Sequence, residues 1–229
     1  MSDLVLYFSI KYEGNFNKIY KALLNKEKFD KEAIIKMKEQ LDCQYIIIFD
    51  DEYPDELKEI NCPPFVLFYK GNINLLKEKK LCLVSLENNH STKLLLDQFV
   101  KDMISKDEFI LIRPDRSWLF DCKIKTIKIM DRGISFYDDI ENNNNTLIIS
   151  EYPNFVDPPK KNLPFSYRIV SGLANKVVLA QCYDTNEEVM TIAYAIEQNK
   201  DMYLIGNEFE LFEMFNPSKI KHIENYNEI

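Results

Sequence analysis

Glycine is scarce in this chain: five residues among 229, namely Gly14, Gly71, Gly133, Gly172 and Gly206. A Walker loop or a Gly-x-Gly-x-x-Gly turn needs clustered glycines, because residues without a Cβ let successive backbone amides close on a phosphate. These five are dispersed, and neither motif occurs. Histidine is scarcer still. His90 and His222 stand alone, outside any metal-ligand spacing and outside a His-Glu-x-x-His helix. The five cysteines are odd in number and widely spaced, with no Cys-x-x-Cys. That pattern speaks against a zinc site or a disulfide framework and for free thiols in a reducing compartment. No Gly-x-Ser-x-Gly elbow is present. Adjacent acidic pairs such as Asp50-Asp51 and Asp138-Asp139 point their side chains apart, so they do not make an acid/base couple. An enzyme is the weaker class, and no cofactor or metal is expected. The apolar run over 4–8 follows Asp3, lacks a cationic start and is too short for a signal or a membrane span. A cytoplasmic protein with no membrane partner is expected.

What the chain does contain is core material. Hydrophobic residues make up 46% and aromatics 13%, enough for a packed α/β domain plus a small appendage. Net charge is −8, so any surface that attracts nucleic acid must be a local basic patch on an acidic molecule.

Two short apolar runs, 146–150 and 177–180, are rich in β-branched residues and bounded by polar residues. They read as strands buried on both faces of a parallel sheet. The polar, partly basic connection between them belongs at the carboxyl edge of that sheet, where open α/β sheets place ligands. Further strands are expected over 45–49, 80–84, 108–112 and 125–130, with 202–205 as the last. Helical periodicity appears over 15–24, with Phe16, Ile19, Tyr20, Leu23 and Leu24 on one face. A second helix follows the N-cap Asp30, with Ile34, Ile35 and Leu41 behind it. Ser91 or Thr92 caps another helix, whose stripe is Leu94, Leu95, Phe99 and Met103. A further helix is expected over 190–198. The apolar cluster at Phe209, Leu211, Phe212, Met214 and Phe215 either covers the sheet or joins a dimer interface.

The fold class expected is therefore α/β: a Rossmann-like, mostly parallel sheet with helices on both faces, preceded by a small helical N-terminal unit. That unit spans 1–50, a lead-in segment 51–79, and the Rossmann-like domain 80–229.

The stretch Ser150-Glu151-Tyr152-Pro153, followed by Leu163-Pro164-Phe165-Ser166-Tyr167-Arg168-Ile169-Val170-Ser171-Gly172-Leu173, resembles the DprA/Smf family of DNA-processing proteins. That family carries Ser-Glu-Tyr-Pro and then Phe-Pro-x-Arg-Asn-Arg-Ile-Ile-Ala-Gly-Leu-Ser. A second, upstream match runs Tyr53-Pro54-Asp55-Glu56-Leu57, then Pro63-Pro64, then Val66-Leu67-Phe68-Tyr69-Lys70-Gly71. The resemblance implies a non-catalytic protein that binds single-stranded DNA and loads the RecA recombinase, often as a homodimer. It implies DNA contacts from Arg168, Lys160 and Lys161 to phosphates, and from Tyr167 or Phe165 to a base. Arg113 and Arg116 are further candidates, with Trp118 beside them as a stacking platform.

Arg168 also admits a second role, pairing with Glu151 to hold the loop in shape. Gly172 is expected at a tight helix-to-strand passage. The family's Val-Gly-Ser/Thr-Arg turn reads Val84-Ser85-Leu86-Glu87 here, replacing a cation by an anion. At about 4 Å and an effective dielectric near 20 a charge pair is worth about 4 kcal/mol, so the exchange bears directly on phosphate binding. Two rivals follow: an interaction or scaffold protein that kept the fold and lost DNA binding, and a nucleotide-binding enzyme on the same fold.

Overall fold

The β-branched runs build one nine-stranded sheet among the described residues. The computed structural model describes residues 2–85, 90–114, 124–136, 144–154, 156–159, 165–180, 186–206 and 220–229. The strands are β1 (Gln44–Ile47), β2 (Val66–Gly71), β3 (Lys80–Ser85), β4 (Ile110–Pro114), β5 (Thr126–Ile129), β6 (Thr146–Ser150), β7 (Lys176–Ala180), β8 (Asp201–Ile205) and β9 (Ile220–Ile223). Their spatial order is β1-β2-β6-β5-β4-β3-β7-β8-β9. Every pairing from β6 through β9 is parallel, whereas β2 runs antiparallel to both β6 and β1. β6 therefore has a parallel neighbour on one side and an antiparallel one on the other, a mixed setting that its apolar run did not disclose.

Alternation along each strand divides its side chains between two covered faces. In β6, Leu147 and Ile149 enter one core and Ile148 another, and all three are fully buried. On the first face lie α4 (Asp55–Lys58), α6 (Tyr167–Leu173) and α7 (Asn186–Glu197), over Cys82, Val84, Ile112, Ile127 and Val177. On the second face α5 (His90–Lys106) lays Leu96, Phe99, Val100 and Met103 against Leu81, Leu83 and Val178. The helices α1 (Ser2–Lys11), α2 (Phe16–Leu24) and α3 (Lys31–Glu39) close that same second face over Ile47, Val66, Phe68 and Ile148. β1 and β2 thus carry the sheet across the boundaries expected at 50 and 79.

Several sequence expectations shift. Three helices, not two, precede β1. The run over 4–8 forms the centre of α1, with Val5, Leu6, Tyr7 and Phe8 buried, so it shows no amphipathic period. In α2 the buried side chains are Ile19 and Ala22, while Tyr20 is 52% and Leu24 67% exposed. In α3 capping by Asp30 is as expected, its carboxylate accepting from the amides of Glu32 and Ala33, and Ile34 is buried with Leu41 packed behind it, but Ile35 is exposed. In α5, Leu94 is exposed and Leu96 and Val100 take the inward places. β8 is not the last strand, because β9 pairs parallel to it. The cluster over 209–215 lies outside the described residues.

Strand order locates the ligand edge. From β3 the chain steps outward through β4, β5 and β6, then crosses back to β7 on the other flank of β3. The reversal puts the topological switch point at the carboxyl ends of β3 and β7. β6 and β7, joined in sequence, are separated in space by β5, β4 and β3.

Candidate functional site

The loop leaving β6 is organised by one buried ion pair. Ser150 turns the chain, its hydroxyl donating to the Arg132 carbonyl at 2.6 Å and accepting from the Tyr152 amide at 2.9 Å. Glu151 is thereby aimed at the first turn of α6. There Arg168 Nη1 donates to Glu151 Oε1 at 2.8 Å and Nη2 to Oε2 at 2.6 Å, a bidentate fork. Nη1 also donates to the Phe165 carbonyl at 2.9 Å, and Nε to the Cys62 carbonyl at 3.0 Å. These bonds use four of the five guanidinium donors. The guanidinium lies 3.7 Å from the centre of the Phe165 ring, a stacked cation–π contact. Arg168 is 1% exposed and Glu151 4%. Burial pulls the guanidinium pKa down, but the Glu151 charge and hydrogen bonds outweigh it, leaving Arg168 above its ordinary value.

This pair ties together the two segments that carry the family resemblance. Tyr53, its hydroxyl bonded to the Pro64 carbonyl at 2.7 Å, sits beside it, and burial pushes the phenol pKa up. Tyr152 is pushed up in the same way. α4 lies on α6 so closely that a Cβ at Gly172 would stand 2.8 Å from Leu57 Cδ2. Gly172, next to last in α6 and four residues before β7, thus sits at the helix-to-strand passage expected and also serves helix-on-helix contact.

Of the residues expected to touch DNA, four are described: Phe165, Tyr167 and Arg168 at the start of α6, and Arg113 in β4. Arg168 faces inward with its donors engaged, the arrangement of the pairing role rather than of an open phosphate contact. Tyr167 is buried, and Phe165 is half-buried under the guanidinium. Arg113, next to last in β4, lies on the same strand face as Leu111, pairs in register with Lys128 and is buried. That is the sheet face opposite α6, so Arg113 and Arg168 do not converge. Lys160, Lys161 and Arg116, with Glu87 and Trp118, lie outside the described residues.

A feature that sequence reasoning missed adjoins the pair. An open cavity of about 760 Å³ lies between the α1–α2 turn and the loop that leaves β6. Its walls include Tyr12, Asn17 and Lys18 on one side, and Tyr152, Pro159 and Phe165 on the other. Gly14 makes the close approach of these segments possible. It adopts φ +72°, and a Cβ there would fall 2.6 Å from the Glu151 carbonyl oxygen. The opposite wall is pinned by Gly133 N–H donating to the Val156 carbonyl at 2.6 Å and Ser135 N–H to that of Asn154 at 3.1 Å. The one sequence signal was Glu13-Gly14-Asn15, a turn between two helices.

Comparison with known proteins agrees with this architecture. The model of the family described as DNA recombination-mediator protein A matches residues 44–112 and 126–220. The DNA processing protein DprA of Streptococcus pneumoniae is 27% identical over 172 residues, 69% of this chain and 61% of that protein. The DprA of Bacillus subtilis is 26% identical over 196 residues, 78% of this chain and 65% of that protein. The chain thus spans less than two thirds of the length of either relative. The structure of DNA processing protein A from Streptococcus pneumoniae superposes with a TM-score of 0.73 at 20% identity, over 98% of this chain and 91% of that one. DNA processing protein A from Helicobacter pylori, studied for its single-stranded DNA binding mode, gives 0.68 at 17% identity, over 82% and 94%. At such identities the superpositions establish the fold. The family model spans both segments that meet at Arg168 and Glu151 together with most of the sheet, and the chain belongs to the DNA recombination-mediator protein A family, the DprA/Smf DNA-processing proteins.

Proposed function

We propose that this protein binds single-stranded DNA without catalysis and, as a homodimer, delivers it to the RecA recombinase. The observation that carries the reading is the family fold retained around the loop after β6, where both resembling segments interlock through Arg168 and Glu151. The Helicobacter pylori neighbour's single-stranded DNA binding supports the ligand class. In this reading Arg168 and Tyr167 shape the loop from within, Phe165 offers its ring to a base, and Lys160 and Lys161 supply charge to the phosphates. Arg116 extends the basic contribution from the segment after β4, and Arg113 anchors that segment at its root.

An acidic chain, net −8, binds through few phosphate contacts, so affinity falls with salt on a shallow slope. The test is fluorescence anisotropy of a labelled oligothymidine at low and moderate salt, on the parent and on Lys160→Ala/Lys161→Ala. Salt-sensitive binding weakened in the double variant supports the reading. Absence of binding even at low salt refutes it and favours the rival protein, a scaffold that kept the fold. That rival has its own support in the inward-facing Arg168 and in Glu87, which stands where the family has a cation.

A further inference from the structure

We infer that the cavity between the α1–α2 turn and the loop after β6 is a nucleobase pocket, taking an unstacked base of the single strand and leaving its phosphate at the rim. The inference rests on the single-stranded DNA reading above and adds the N-terminal helices to the binding surface. At about 760 Å³ the cavity falls within the range of small-ligand pockets, roughly 300–1,000 Å³. Its walls offer flat, apolar groups to a base: Phe16, Tyr152 and Phe165, with Pro158 and Pro159. Phe165 is held in place by the guanidinium stacked on it, so its ordering is complete before a ligand arrives. Asn15 and Asn17 supply amides of the kind that pair with base edges, and Asn15 is oriented by capping α2 through its carbonyl oxygen.

The charges sort the ligand. Among the lining residues Glu13 and Asp157 oppose Lys18, so a phosphate seated inside would meet more negative than positive charge. An uncharged base meets no such repulsion. Lys18 lies on the exposed side of α2, and the chain passes from Pro159 in the wall directly into Lys160 and Lys161. The exposed Lys18 thus supplies a cation at the rim, where the sugar–phosphate chain would leave the cavity. The walls are also fixed, by Gly14 against Glu151 and by the Gly133–Val156 hydrogen bond, which favours a ligand that inserts a rigid planar group.

The experiment compares oligothymidine with an abasic oligomer of equal length, by anisotropy at low salt, on the parent, Phe165→Leu and Asn17→Ala. A parallel arm photocrosslinks a 5-iodouracil oligomer to the parent and maps the adducts by mass spectrometry. The expected results are roughly tenfold tighter binding of the base-bearing oligomer, a preference that shrinks in both variants, and adducts within 12–18 and 152–165. Asn17 is exposed, so its variant reads the pocket even where Phe165→Leu disturbs the loop. Equal affinity for both oligomers, with adducts only at the β3 and β7 ends, overturns the pocket and leaves DNA binding standing. No binding of either oligomer by the parent overturns both.

Discussion

Removing one partner of the Arg168–Glu151 pair tests the central claim about this molecule. Arg168→Ala leaves a carboxylate only 4% exposed without its counter-charge, and takes the donor from the carbonyls of Cys62 and Phe165. Breaking a buried pair in this way costs about 3–5 kcal/mol. Each carbonyl stripped of its partner adds about 1 kcal/mol or more where water cannot replace it. Against a total stability of about 5–15 kcal/mol, that is a large fraction. At about 2–4 °C per kcal/mol for a chain of this length, loss of the pair alone lowers the melting temperature by about 6–20 °C, and the carbonyls add to that. The assay is urea unfolding followed by circular dichroism, with calorimetry in parallel. Glu151→Gln destabilises by a comparable amount, since a neutral amide replaces the buried counter-charge. The double variant Arg168→Met/Glu151→Leu removes both charges and fills the space with apolar atoms. It loses less than the sum of the two single changes, the mark of direct coupling. Arg168→Lys keeps a charge but loses the fork and the ring stacking, and falls between parent and Arg168→Ala. Single variants within about 1 kcal/mol of the parent, or a double variant showing the full sum, would refute the argument.

Two further predictions concern the N-terminal helices. Gly14→Ala forces a Cβ to within 2.6 Å of the Glu151 carbonyl oxygen at φ +72°, and should cost about 1–3 kcal/mol in urea unfolding while faster amide exchange appears across 151–156. Asp3, Glu27 and Asp42 should govern the acid response. The Lys38 hydrogen bond lowers the pKa of Asp3, and those of Lys11 and Tyr12 lower that of Glu27. Burial raises Asp42, but Ser135 and Lys70 together carry it below its ordinary value. With folded values depressed, their stabilisation is complete above the usual carboxylate pKa near about 4 and is lost as pH falls through the folded values. Amide exchange at pH 5 and pH 3 should therefore show α1–α3 loosening before β3–β8, with the difference reduced by salt; uniform loosening contradicts this.

Much of the sheet was legible in the sequence because burial on both faces removes polar residues from a strand. β3, β6 and β7 are near-continuous apolar runs, and each feeds two cores. β9 was not legible for the converse reason. Ile220 and Ile223 are buried while Lys221 and His222 between them are exposed, so this edge strand offers two apolar residues and no clear period. α1 escaped because a helix buried nearly all round looks like a short apolar run of either type. The chain's division at 50 and 79 followed helical patterning and the resemblance, whereas β1 joins the sheet through β2, and β2 through β6, a pairing across about 80 residues that local patterns do not encode.

The site divides along the same line. That Glu151 and Arg168 flank the loop after β6 was readable, since they lie 17 residues apart in one resembling segment. Which way the guanidinium turns was not, because the deciding partner is the Cys62 carbonyl, 106 residues away. Once Nε is committed to that carbonyl and the fork to Glu151, the plane of the group is fixed and Phe165 can stack on it. The motif arginine then reports on how the two segments join, and not on what the loop touches. A shared Ser-Glu-Tyr-Pro and Arg-Ile-x-x-Gly-Leu pattern is accordingly strong grounds for the fold and weak grounds for a contact with DNA. Binding has to be sought in residues whose chemistry faces solvent, and those include the α1–α2 turn, to which the resemblance assigned no role.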